Sequence, residues 1–350
     1  MITINARNAN QAFPKVLYNV RRYGYEEESR NGLVMRFPYP VGITYERPWE
    51  MMLFNERRDA NPFFHIMEAL WMLAGRNDVW FPALFNSNIA NYSDDGNIFH
   101  GAYGYRWRHH FGHDQIKMVV SALTDNPRDR RIVMQMWDPI HDLGQDGKDF
   151  PCNLCITFSV IEDEILDMTV FNRSNDIVWG ALGANVVHFA FLHQFIAACV
   201  PGVKQGSYYQ ISTNMHLYLE PHSGLMHSEA SLTIPKNQLI YEGNPDFRQG
   251  FRARNMFGND PWRTLRGIEK FVNDPTERSV GPEGWPRLVR EAAMPLFDAW
   301  MAFKQYGDGI DRYDRALEHL RRVTINDWRI ACEEWIIRRK RKALDKENLI

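Results

Sequence analysis

Cysteine is scarce in this chain: four among 350 residues, at Cys152, Cys155, Cys199 and Cys332. That density excludes the disulfide framework of a small secreted domain and makes a reducing cytoplasm the expected compartment. Surplus charge is missing too. Lys and Arg number 41 against 43 Asp and Glu, a formal net charge of −2, so non-specific binding to nucleic acid has no electrostatic basis and no nucleic-acid partner is expected. The basic run RRKRKALDK near the end reads as the solvated end of a helix. No membrane-spanning stretch is read in the chain and no signal-peptide pattern in MITINARNAN, so no membrane partner is expected. Internal repeats and low-complexity tracts are also lacking.

Apolar and aromatic residues are plentiful, at 45% and 13% of the chain, enough for one large domain or a core with an elaboration. NPFFHIMEALWMLAG places Phe63, Ile66, Met67, Leu70, Trp71 and Leu73 at helical spacing, with Gly75 as a stop. DRRIVMQMWDP reads as a strand ending at Pro139. NLCITFSVIEDEILDMTVFNRS reads as a hairpin: Ile156, Phe158 and Val160 alternate before an acidic turn at Glu162-Asp163-Glu164. GANVVHFAFLHQFIAACV is an apolar helix closed by Pro201-Gly202, and YYQISTNMHLYLEPH looks like one further strand. Beyond about residue 235 the pattern turns to charged helical segments separated by Gly/Pro-rich stretches such as SVGPEGWP. The expected architecture is α+β, a catalytic core over 1–235 and a helical C-terminal extension over 236–350 packed on it.

Within KDFPCNLC, Cys152 and Cys155 form a C-x-x-C. A zinc ribbon needs four ligands, usually two such pairs, and Cys199 and Cys332 are single and distant. A thioredoxin-type dithiol should open a helix, whereas the alternation here is that of a strand, where residues three apart face opposite sides. Cys155 is most simply a small buried hydrophobe. Cys152 follows Pro151 at a strand mouth, and the returning arm brings Arg173, in NRSND, toward it. A guanidinium there lowers a thiol pKa toward the nucleophilic thiolate. On these residues alone, a buried inert Cys152 remains slightly favoured.

The ordered set MEALWMLAG, GAYGYRWR, NPRDRRIVMQMW, FPCN, NRSNDIVWG, GAN and NMHLY, spanning about residues 20 to 225, resembles the thymidylate synthase superfamily. That superfamily includes the pyrimidine-nucleotide hydroxymethylases. The resemblance implies a twisted mixed sheet flanked by helices, dimerising sheet against sheet. It implies that Cys152 is the nucleophile that adds to C6 of a pyrimidine nucleoside monophosphate, which turns C5 into an enolate carbon. It implies phosphate ligands at Arg30, Arg173 and Ser174, with Arg130 and Arg131 donated by the other subunit of a homodimer. Guanidinium forks suit that dianion. Glu68 would organise water and move protons at the base, and its carboxylate on an otherwise apolar helix face demands a partner or a task. Tyr103 matches the active-site tyrosine, His216 and Tyr218 the pair on the sugar 3′-hydroxyl, and Asp176 the carboxylate that holds the pterin of the co-substrate 5,10-methylenetetrahydrofolate.

The base-reading amide falls on Asn185 when aligned back from the helix, and on Ala184 when counted forward from Arg173-Ser174. The helix is the firmer anchor. Asn there suits uracil, and an Asp would suit cytosine. Asn153 stands where the synthases usually carry a His of the water network at O4. Two devices that keep the methylases' cavity dry are absent: no Trp lies between Trp80 and Trp107, and the polar end KRKALDKENLI lacks the synthases' closing tail. Both losses favour water over hydride as acceptor. The expected activity is deoxyuridylate 5-hydroxymethylation, ahead of thymidylate synthesis, cytidylate or deoxycytidylate hydroxymethylation, and a non-catalytic nucleotide-binding or RNA-binding relative.

Overall fold

Ten strands form two sheets among the described residues of this computed structural model, which are 1–232, 241, 256–279, 281–305 and 309–347. In chain order they are β1 (Ile2–Ala6), β2 (Tyr25–Ser29), β3 (Gly32–Arg36), β4 (Val41–Tyr45), β5 (Val133–Gln135), β6 (Asn153–Ile161), β7 (Ile165–Asn172), β8 (Asn175–Asp176), β9 (Lys204–Ser212) and β10 (Met215–Tyr218). The larger sheet runs β1-β4-β9-β7-β6-β5 and the smaller β2-β3-β10-β8. Both are mixed, with parallel pairs β1–β4, β7–β9 and β8–β10.

The β6–β7 hairpin forms as its alternation dictates. Ile156 and Phe158 on one arm, and Leu166, Met168 and Val170 on the other, are buried. Glu162 and Asp163 both take positive φ, 52° and 60°, and the Glu164 N–H donates to the Ile161 carbonyl at 3.1 Å, closing a three-residue loop between the paired Ile161 and Ile165. Two strand expectations need correction. The segment expected to run extended to Pro139 is strand only over Val133–Gln135. Beyond it the Met136 and Trp137 N–H groups both donate to the Leu154 carbonyl, at 2.9 and 3.0 Å, and the Asp142 carboxylate accepts from the Asp138 N–H at 2.8 Å, rolling the chain into a turn. The expected single strand through His216 is two strands in different sheets. The Thr213 N–H donates to Asn172 and the Asn214 carbonyl accepts from the Asn175 N–H, so the chain steps from one sheet to the other there. A helix, Leu219–His227, then replaces the expected strand end.

Two helices carry the centre of the molecule. Pro62–Leu73 is capped by the Asn61 side chain and opens with Pro at its first position, a start that costs no backbone hydrogen bond. All twelve of its residues are buried. Asn185–Cys199 continues from a distorted turn, Ile177–Ala184, whose backbone leaves helical geometry at Leu182 and Gly183. Ile177–Cys199 is long and apolar enough to cross a membrane, but 78% of its most apolar window is buried, as in a core helix between sheet and helices. The C-terminal helices Pro261–Asn273, Met294–Gln305, Asp311–Leu320 and Asn326–Glu347 cover the backs of these two. Phe63 meets Trp300 and Trp335 at ring separations of 5.4 and 5.8 Å, and Phe191 meets Trp328 at 5.9 Å. The Trp300 indole N–H donates to the Leu84 carbonyl at 2.8 Å. Asp59 accepts from both Arg338 and Arg339. The boundary expected at residues 235/236, and the last three residues of the polar chain end, lie outside the described residues.

Candidate active site

The smaller sheet, the chain at the ends of β5, β6 and β7, and the two central helices line a cavity of about 900 Å³. Ten of the residues singled out in the sequence line it: Arg30, Glu68, Tyr103, Cys152, Arg173, Ser174, Asp176, Asn185, His216 and Tyr218. Asn153, Arg130 and Arg131 do not. Asn153 is fully buried, its amide atoms without a hydrogen-bond partner among the described residues. Arg130 and Arg131 are exposed, and Arg131 pairs with Asp129 at 2.9 Å.

Cys152 sits one residue before β6, where a bulge between Asn153 and Cys155 shifts the pairing with β7. Such bulges re-aim side chains beside functional sites. Cys155 is half-buried, not buried as expected, and lies outside the cavity lining. Arg173 anchors the strand mouth: its Nε donates to Pro151 and its Nη2 to Phe150, at 3.0 and 3.2 Å, and its guanidinium lies 5.3 Å from the Trp137 ring. Burial pushes the Cys152 thiol up, and Arg173 pulls it only part of the way back. This corrects the expected depression of that pKa: Asp149 and Asp176 add to the desolvation cost, and Arg173 with Arg30 does not outweigh them. Arg30, exposed at the β2–β3 turn, donates to the Gly147 and Lys148 carbonyls at 2.8 and 3.1 Å, tying that turn to the loop before Cys152.

Tyr103 is held against the 62–73 helix because Gly104 follows it. A Cβ on Gly104 would stand 2.0 Å from the Met72 carbonyl oxygen, an impossible contact. The Tyr103 ring stacks on Phe189 at 6.1 Å. Burial holds its hydroxyl well above the usual phenol range, reinforced by Cys152 and Asp149.

Asn185 opens the inner helix, and its Nδ2 donates to Asn175 Oδ1 at 3.3 Å. Asn175 donates in turn to Gln210 Oε1 at 2.9 Å, and Gln210 to the Tyr208 hydroxyl at 2.7 Å. This buried amide chain fixes which end of Asn185 faces the cavity. Gly180 leaves it room, since a Cβ there would lie 2.3 Å from Asn175 Oδ1. Between Ser174 and Asn185 the backbone leaves helical geometry at Leu182 and Gly183. Both Ala184 and Asn185 line the cavity.

Asp176 caps the turn after β8, its Oδ1 accepting from the Val178 N–H at 2.9 Å and from the Trp179 N–H. Its Oδ2 is buried with no hydrogen-bond partner among the described residues. Burial raises its pKa to about 6, against the pull of the Trp179 N–H and Arg58. Arg58, itself lowered to about 10 by burial, donates to the Val178 carbonyl at 3.0 Å and lies 5.4 Å from the Trp179 ring. His216 and Tyr218, on one face of β10, meet edge to face at 5.2 Å. His216 Nδ1 is 3.1 Å from Asn214 Oδ1, and burial lowers its pKa.

Glu68 has a neighbour that sequence reasoning missed. His188, one turn beyond Asn185, places Nε2 3.0 Å from Glu68 Oε2, too poorly aligned for a hydrogen bond. The signal was present: a polar ring on an apolar helix invites the same question as the carboxylate. Trp137, Asp149 and Trp179 also line the cavity unforeseen, although Trp137 and Trp179 stand inside the quoted motifs.

The arrangement can therefore combine a thiol, a guanidinium-rich wall, an amide reader and a buried carboxylate–imidazole pair around one planar ligand. Known proteins share both sequence and fold. A protein of Pseudomonas phage M6 named deoxyuridylate hydroxymethyltransferase is 45% identical over 343 residues, 97% of this chain and 95% of that one. A protein of the same name from Bacillus phage SP01 is 35% identical over 301 residues, 78% of each chain. The crystal structure of thymidylate synthase from T4 phage superposes with a TM-score of 0.50 at 21% identity, covering 61% of this chain and 78% of that one, so the fold is shared. Residues 11–240 match the sequence model of thymidylate synthase, and with these relatives the chain belongs to the thymidylate synthase family.

Proposed function

We propose that the protein is a deoxyuridylate 5-hydroxymethyltransferase that uses 5,10-methylenetetrahydrofolate. The observation that carries this reading is the 45% identity, along almost the whole chain, to a phage protein of that name. The convergence of Cys152, Arg173, Glu68 and Asn185 on one cavity supports it. Cys152 adds to C6 of the pyrimidine and gives C5 the carbanion character needed to attack a one-carbon electrophile. Arg30, Arg173 and Ser174 hold the nucleotide phosphate, with Arg130 and Arg131 of a second copy completing the cage. Asn185, oriented by Asn175, offers its outer amide edge to O4 and N3–H of uracil. His216 and Tyr218 take the sugar 3′ side.

The co-substrate supplies the one-carbon unit at the oxidation level of formaldehyde. The residues present suit its pterin: Asp176 Oδ2 is a buried acceptor lacking a partner among the described residues, and Trp179, 46% exposed, offers a flat face beside it. Water as the final acceptor is supported by the polar rim, where Asn86, Asn88, Tyr92, Gln145 and Lys148 stand, and by the lack of any Trp between Trp80 and Trp107. The test is incubation of the protein with the folate and each of dUMP, dCMP, UMP and CMP, followed by product mass. A hydroxymethyl product from dUMP is expected, one oxygen heavier than the methyl product. Thymidylate with dihydrofolate as sole products would overturn the proposal.

A further inference from the structure

The wall of the cavity formed by the 62–73 helix is apolar, with Phe64, Trp71 and Met72 beside Glu68. A water delivered there needs two to four polar partners to be held, and the helix itself offers one carboxylate. The second helix supplies the rest. His188 is 2% exposed and Glu68 7%, both line the cavity, and both ring nitrogens of His188 and Oε2 of Glu68 lack a hydrogen-bond partner among the described residues. Asn185 presents its amide one turn before His188 on the same helix. Two buried polar groups 3.0 Å apart, unaligned with each other and open to a cavity, have the geometry to share a third polar group between them rather than to close on each other.

We infer that His188 is a positioning residue for hydration: together with Glu68 it holds the water that attacks the exocyclic methylene and receives that water's proton through the Glu68 carboxylate. The inference rests on the hydroxymethyltransferase reading. In the step, a bond forms between the water oxygen and the exocyclic carbon, and the π pair of the exocyclic double bond moves into the ring as the C4 enolate. The water proton passes to Glu68 and on to His188 Nε2. The enolate then reforms the C5–C6 double bond and expels the Cys152 thiolate from C6. No oxidant or reductant is required. Besides Glu68, at 3.0 Å, His188 acts on His65, on the helix of Glu68, which burial, Arg58 and His188 itself hold well below the ordinary imidazole range. His65 therefore stays neutral and does not compete for the proton.

The test uses full-length protein, dUMP, methylenetetrahydrofolate and an added simple thiol such as 2-mercaptoethanol, which competes with water for the exocyclic methylene. The ratio of thioether to hydroxymethyl product reports water delivery alone, since a general loss of rate affects both equally. H188Q is expected to raise that ratio about tenfold or more, with the dUMP KM within about twofold of wild type and C5 tritium release continuing. H188S, smaller and free of any packing excess, is expected to do the same. An unchanged ratio in variants that still release C5 tritium overturns the assignment. Loss of tritium release in both variants also overturns it, by placing His188 at an earlier step. Wild-type protein that makes only thymidylate sinks the underlying function as well, so the two failures are told apart.

Discussion

Replacing Asp142 by Ala removes the anion from the most deeply buried ion pair in the cavity wall. Arg106 and Asp142 are both inaccessible to solvent and joined by two hydrogen bonds, of 2.6 and 2.8 Å. Arg106 also donates to the Met136 and His100 carbonyls, and Asp142 also accepts from the Asp138 N–H and pairs with His100. Burial pushes the Asp142 carboxyl up, but Arg106, the Asp138 N–H and His100 outweigh it and leave the group below the ordinary range. In D142A the guanidinium stays behind, desolvated and uncompensated, a loss of about 3–5 kcal/mol for a broken buried pair. Unfolding entropy of about 2.1 cal/mol/K per residue gives about 0.7 kcal/mol/K for a chain of 350 residues, so Tm should fall by about 4–7 °C. Thermal unfolding followed by circular dichroism measures it. The sign with pH is also fixed. A depressed carboxyl pKa contributes stability above its unfolded value of about 3.9 and loses it as pH falls through the folded one, so the gap between wild type and D142A should narrow in acid. The R106M/D142L double variant should lose less than D142A, because no buried charge remains. A D142A Tm within 1 °C of wild type would refute the reasoning.

Three further outcomes are expected. C152S should abolish turnover while equilibrium dialysis shows dUMP binding largely intact; normal turnover in that variant removes Cys152 from its role. The folate KM should rise as pH falls below about 6, where Asp176 becomes neutral, and a D176N profile should be flat; a wild-type profile without that rise would detach Asp176 from the co-substrate. Its raised carboxyl pKa gives the opposite stability sign to Asp142, a contribution present at low pH and lost as pH climbs through about 6. Mixing C152S with an R130A/R131A double variant, each inactive alone, should restore about a quarter of wild-type activity, since half the random dimers carry one intact site of two; no restoration means the arginines do not cross between subunits.

Much of this was legible because the chemistry lies close in sequence to its own support. The β6–β7 hairpin follows from alternation around an acidic turn, and it delivers Cys152 and Arg173 to one end. Long-range geometry was not legible. Nothing local to Thr213-Asn214 says that the chain changes sheets there; that depends on Asn172 and Asn175, some forty residues earlier. Val133–Gln135 ends early because of Asp142 and the bulge opposite, neither visible as a break in its own apolar pattern. The direction of the Cys152 shift was misjudged because a sequence names a nearby cation but not how much water the fold removes. His188 escaped notice for a similar reason: its meaning comes from Glu68, two helices joined only by tertiary packing.

The aromatic brace behind the two central helices has a consequence for anyone mutating the gene at random. Trp300 and Trp335 touch Phe63, five residues before Glu68, and none of the three lines the cavity. Thinning that buttress will tilt the carboxylate without disturbing a single atom that meets the nucleotide. Inactivating lesions should therefore cluster in a region with no chemistry of its own, and a survey of dead variants would mistake scaffolding for a second site.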